Sequence, residues 1–211
     1  MKIDIISLIY FDPKGDKNLT KQLLRESSFL GDAIAESLRK ETFFDCRRMN
    51  FICKEDDIQD RISQVYSIAE MDIPFSREYF SMDVENRQKY LADIFRIATQ
   101  IWCEKKKWNY NLFKAVIDKV EKNNYTFERY FQNIKCKNGE MTAKLFGIQS
   151  INCMDLYIDI FNKKTFEKRE FIFSASPHIL EYGYDIGNLT WNGDTISLLN
   201  ENKKLVFSIK V

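Results

Sequence analysis

The sequence is poor in the residues that break chains and bind cofactors, with three prolines, seven glycines and a single histidine, His178, among 211 residues. So little proline, beside 45% hydrophobic and 14% aromatic residues, excludes a disordered or low-complexity chain. Scarce glycine removes the usual phosphate cradles. Neither Gly-x-Gly-x-x-Gly nor a Walker loop occurs, and the nearest spacing, Gly183 to Gly187, does not lead into a helical pattern. One histidine and no Cys-x-x-Cys leave almost no zinc ligand set. Neither sign of charge prevails. A net charge of +1 provides no overall field to draw the chain onto nucleic acid or an anionic membrane.

Long apolar runs are missing as well: nothing reaches the roughly 18 residues a membrane helix requires. The apolar start, "MKIDIISLIYF", contains Asp4 and runs into "DPKGDK" rather than a small-residue cleavage site. The five cysteines (46, 53, 103, 136 and 153) are odd in number and scattered, which suits reduced thiols in a cytoplasm better than a disulfide framework. The expectation is a cytoplasmic protein with no cofactor, no metal and no membrane partner.

What the sequence does have is periodicity. Residues 2–11 read as a buried strand that ends at a turn signal. Asn18 is placed to cap a helix carrying Leu23, Leu30, Ile34 and Leu38, in which Gly31 costs about 1 kcal/mol relative to alanine. "TFFDCRRMNFICK" alternates, with Met49, Phe51 and Cys53 on one face, and whether this strand runs parallel to the first is left open. "EDDIQDRISQVYSIAEMD" predicts a second helix from the stripe Ile58, Ile62, Val65 and Ala69, broken near Pro74. Asp83 caps a longer helix with Arg87, Leu91, Ile94, Ala98 and Ile101 in register. Another is predicted from Tyr110 to Glu121, with Leu112, Val116 and Val120 as its seam.

From Tyr125 onward the period is two. Asn-Gly in "KNGE" (137–140) and again in "WNGD" supplies the positive φ angles of tight hairpins. Six to eight antiparallel strands in a meander are expected, without the fixed repeat of a propeller or solenoid. In the hairpin after Cys153, a four-residue loop, Asn162 to Thr165, sets Asp159 opposite Lys168, Leu156 opposite Phe171 and Met154 opposite Phe173. The fold class is therefore α+β: a helix-rich N-terminal part (strand–helix–strand, then three helices) over 1–124, packed with an antiparallel meander sheet over 125–211, as two domains or as one.

Four constellations offer chemistry. Ser174, Ser176, His178 and Asp185 are the residue types of a serine hydrolase, with His178 as base, but no Gly-x-Ser-x-Gly elbow is present and the segment reads as a strand end. Any of the five thiols could meet His178 in space, yet none sits in a nucleophile signature. Trp102, Lys105, Lys106, Lys107 and Trp108 interleave rings and cations, the composition of a base-stacking surface. The plainer reading is lysines complementing a helix C-terminus and tryptophans packing inward, so nucleic acid is not the expected partner. Glu55, Asp56, Asp57, Asp60, Glu70 and Asp72 stand against Arg61 alone, an acidic face able to steer a basic partner. On these grounds the leading expectation is a non-catalytic protein that binds another protein, such as an inhibitor or an immunity protein neutralising a toxin. A hydrolase using His178 and a nucleic-acid binder using Lys105 to Lys107 are the alternatives.

Overall fold

A computed structural model describes all 211 residues and shows an α+β fold that divides into two compact units, Met1–Phe127 and Glu128–Val211. No helix is long and apolar enough to cross a membrane.

The first unit starts as the alternation predicts, with strand β1 (Ile5–Tyr10), then helix α1 (Lys17–Ser37) and strand β2 (Arg48–Lys54). Its capping residue is Asp16, not Asn18: the Asp16 carboxylate accepts the backbone N–H of Asn18 at 2.9 Å. β1 and β2 are parallel, Ile5 beside Arg48 through Tyr10 beside Cys53. Met49, Phe51 and Cys53 share the fully buried face of β2.

Residues 55–72 do not form a helix. They hold a loop and the hairpin of β3 (Ile62–Val65) and β4 (Ile68–Pro74), joined through Tyr66, whose φ is +54°. The stripe that suggested a helix stays largely outside: Ile58 is 43% and Val65 63% exposed. Burial follows a competing period of two, with Ala69, Met71 and Ile73 inside. β4 pairs parallel with β2 and antiparallel with β3, so the sheet order is β1-β2-β4-β3.

A 3-10 turn (Arg77–Ser81) leads to helix α2 (Val84–Lys106), which Asp83 caps as expected by accepting from Asn86 N at 2.8 Å. Leu91, Ile94, Ala98 and Trp102 form its buried side, and Lys107 ends it with a positive φ of 59°. Helix α3 (Tyr110–Lys122) buries Phe113, Ile117 and Val120. Its seam therefore lies one residue beyond the predicted Leu112 and Val116, because the Phe113 ring meets Phe44 edge-on at 6.2 Å.

The second unit has seven strands in two antiparallel meanders. Strands β5 (Phe127–Lys135), β6 (Met141–Gln149), β7 (Met154–Asn162) and β8 (Thr165–Ala175) form one in chain order. After the short helix α4 (Ile179–Tyr182), strands β9 (Asn188–Asn192), β10 (Thr195–Leu199) and β11 (Leu205–Lys210) form the other. Both contribute to one core, which takes in Leu145, Leu156 and Ile158 from the first sheet and Leu189, Ile196 and Leu198 from the second.

Gly139 and Gly193 sit at positive φ in the two Asn-Gly turns, as those dipeptides predict. The β7–β8 register is corrected. Phe161 faces Phe166 as the predicted loop requires, but the register slips by one at 160/161 and again at 156/157. The outcome pairs Asp159 with Arg169, Leu156 with Phe173 and Met154 with Ala175.

Candidate binding face

The acidic and the basic clusters of the sequence meet in one ion pair, and most of their other charges are bonded to nearby groups. At the C-terminus of α2, Lys105 pairs with Asp60 at 2.7 Å, and Lys106 with Asp45 at 2.7 Å and with the Gln64 amide oxygen at 3.1 Å. Trp102 is fully buried against Phe51 and Trp108, with no face left to stack a base. Of the remaining acids, Glu70 accepts from Asn50 at 2.8 Å and Asp72 pairs with Lys54 at 2.6 Å, both across the β2–β4 ladder. Glu55 accepts the Tyr10 hydroxyl. Asp56 and Asp57 lie in the loop after β2, exposed, Asp57 with a φ of +49°. Since β4 alternates, its acids project from one face of a strand and not from a helix.

His178 precedes α4 at the end of β8, half-buried, between the buried Pro177 and the exposed Ile179. Ser174 is exposed, Asp185 lies in the turn after α4, and the Ser176 hydroxyl is buried without a hydrogen-bond partner. No hydrogen bond joins the Ser176 hydroxyl to His178. Three thiols are unsuited to attack as well. Burial pushes Cys46 up to about 11 and Cys103 up to about 12, and drives Cys53 higher still, so all three keep their protons at neutral pH. Cys136 closes the β5–β6 turn by accepting Met141 N and bonding Asn138, and Cys153 meets the Ser150 hydroxyl at 3.7 Å.

The strongest surface feature was not singled out from the sequence. One face of the β5–β8 sheet covers the core, with Leu145 on β6 and Leu156, Ile158 and Ile160 on β7. Alternation sends Phe146, Tyr157 and Asp159 to the other face. There a row of rings crosses all four strands. Tyr130 on β5 meets Phe146 on β6 at 6.0 Å, Phe146 stacks on Tyr157 of β7 at 5.6 Å, and Tyr157 meets Phe171 of β8 at 5.6 Å. Tyr130 and Phe171, the outer members, are 65% and 52% exposed.

Arg169 lies over the middle of the row, its guanidinium carbon 4.5 Å from the Phe146 ring centre. It is held there by Asp159, which accepts from Nε at 2.7 Å and from Nη2 at 2.9 Å. Phe161 and Phe166 continue the apolar face toward the β7–β8 turn, with the Lys144 ammonium 4.5 Å from the Phe161 ring. The register slip is what makes this arrangement. The strict predicted pairing would have put Lys168 across from Asp159, and a lysine offers no planar fork for two hydrogen bonds and no flat surface for a ring.

Compared with protein-family models, with curated proteins and with solved structures, the chain matches none.

Proposed function

We infer that this chain acts by holding another protein and that its contact surface is the open face of the β5–β8 sheet. Tyr130, Tyr157, Phe171 and Arg169, laid over the buried Phe146, carry the reading. Tyrosine and arginine dominate the energetics of protein interfaces because they bury much area for few rotors, and here ring contacts and a two-point ion pair order them in advance. The central charges of the face, Arg169 and Asp159, satisfy each other, so the partner offers an apolar or aromatic patch rather than a basic one. The acidic residues once suited to a basic partner are in large part spent on Lys54, Lys105, Asn50 and Tyr10. An inhibitor, such as an immunity protein that blocks a toxin by covering it, is the specific form this reading takes. Five free cysteines fit its action in a reducing cytoplasm.

The test compares the native chain with a Tyr130→Ala, Phe171→Ala double variant as bait in cell lysate, beside light-scattering mass measurements of each. A stoichiometric partner retained by the native chain, lost by the double variant and still bound at about 0.5 M salt, where surface charges are screened, is the expected result. A partner that the double variant keeps, a partner released by salt, no partner at all, or a native chain that merely dimerises through this face would overturn the reading.

A further inference from the structure

The second surface of interest lies in the first unit, at the carboxyl ends of β1, β2 and β4. These three strands run parallel, so Tyr10, Lys54 and Pro74 leave the sheet along one edge. In open parallel sheets this is the edge at which ligand crevices form. An open cleft of about 560 Å³ lies there, lined by Glu55, Arg77, Glu78 and Tyr90 together with Pro74 and Phe75.

The polar groups of the cleft are held from beneath. Asp12, just past β1, has a carboxylate that is only 1% exposed; it accepts Asp16 N at 2.7 Å and Arg77 Nη1 at 2.5 Å. One guanidinium nitrogen is thereby anchored while the other N–H donors of Arg77 remain to be used. The fully buried Tyr10 donates its hydroxyl to Glu55 and fixes that carboxylate in the lining. Tyr90 accepts Ser76 N at 2.8 Å, which leaves its own hydroxyl proton to give.

Arg77, anchored on one side by the buried Asp12, shares this lining with two further carboxylates and an apolar patch, a combination that selects by charge. A bare anion would meet Glu55 and Glu78, and a bare cation would meet Arg77. A molecule carrying both charges satisfies both kinds of group. We propose that this cleft binds a small zwitterion of the α-amino-acid class with an apolar side chain, its carboxylate on Arg77 and Tyr90, its ammonium on Glu55 and Glu78, and its side chain over Pro74 and Phe75.

Amide NMR titrations with three probes decide the matter: L-leucine, isovalerate, which lacks the ammonium, and isoamylamine, which lacks the carboxylate. Leucine shifts the amides of Ser76, Arg77 and Glu78 saturably in the millimolar range. Each single-charge probe binds about tenfold more weakly, the loss of one ionic contact. Glu55→Gln, which keeps an acceptor for Tyr10, lowers leucine affinity and narrows its margin over isovalerate, with Glu78 keeping the remainder. Arg77→Gln loses leucine while the amides of β2 and β4 stay in place. No saturable shift with leucine, isovalerate equal to leucine on the native chain, or an unaltered preference in Glu55→Gln would each overturn the proposal. None of these outcomes depends on the aromatic face of the second unit.

Discussion

Gly31 shows how a single residue can read one way along the chain and another way in space. Inside a helix it costs about 1 kcal/mol against alanine by propensity. In the fold, a Cβ there would lie 2.1 Å from the carbonyl oxygen of Ile6, so the missing side chain is what lets α1 settle onto β1. Backbone cannot retreat as a flexible side chain can. Gly31→Ala is therefore expected to lower unfolding free energy by about 1–3 kcal/mol, the usual cost of overpacking, despite its better propensity. Urea denaturation followed by circular dichroism checks this, and a stabilised variant would show that propensity prevails. Other single residues were legible as they stand. Asp83 caps α2, and Met49, Phe51 and Cys53 line one face of β2, because capping and alternation are local rules. Asp16 took the cap expected of Asn18 because both residues carry the required acceptor and lie two positions apart.

Among the elements, the β3–β4 hairpin is the instructive reversal. Ile58, Ile62, Val65 and Ala69 recur at helical spacing, while Ala69, Met71 and Ile73 recur at strand spacing within the same stretch. A central place beside β2 decided between them: β4 completes a parallel ladder and buries its odd-numbered side, a gain no isolated helix could offer. The turn retains a mark of the compromise. Tyr66, 95% exposed, holds a positive φ that suits asparagine better. Tyr66→Asn should raise stability by up to about 1 kcal/mol, read as a higher urea midpoint with unchanged slope. No gain would mean that the ring is packed in solution. The β7–β8 hairpin teaches the complementary point. Its turn pairing was readable, but two one-residue slips were not, because a bulge is chosen by cross-strand partners such as Asp159 and Arg169 and not by alternation.

At the scale of the whole molecule, the core built from β5 to β11 draws only on residues 143–198, with flanking rings such as Phe131 and Phe207 from the same unit. A fragment covering residues 126–211 is therefore expected to fold alone, with dispersed amide resonances and a cooperative melt. A collapsed spectrum would show that the second unit needs the first. The candidate surfaces also belong to this scale. The acids of 55–72 and the lysines of 105–107 looked like two separate contact faces, yet chain folding joins them through Asp60–Lys105 and pairs Lys106 with Asp45 and Gln64. The aromatic row went unread because its members come from four strands, one ring from each, and no window of sequence contains more than a fraction of it.

What the amino-acid order determined by itself was everything that neighbours along the chain can decide: the α+β class, the change from helical to alternating period near residue 125, and the Asn-Gly hairpins. Tertiary structure alone decided the parallel pairing of β1 with β2 and β4, the conversion of a helical stripe into a hairpin, and which charges cancel. Periodicity and capping act over one or two turns of chain, whereas strand direction, register and ion pairing depend on groups many tens of residues apart that only the packed fold brings together.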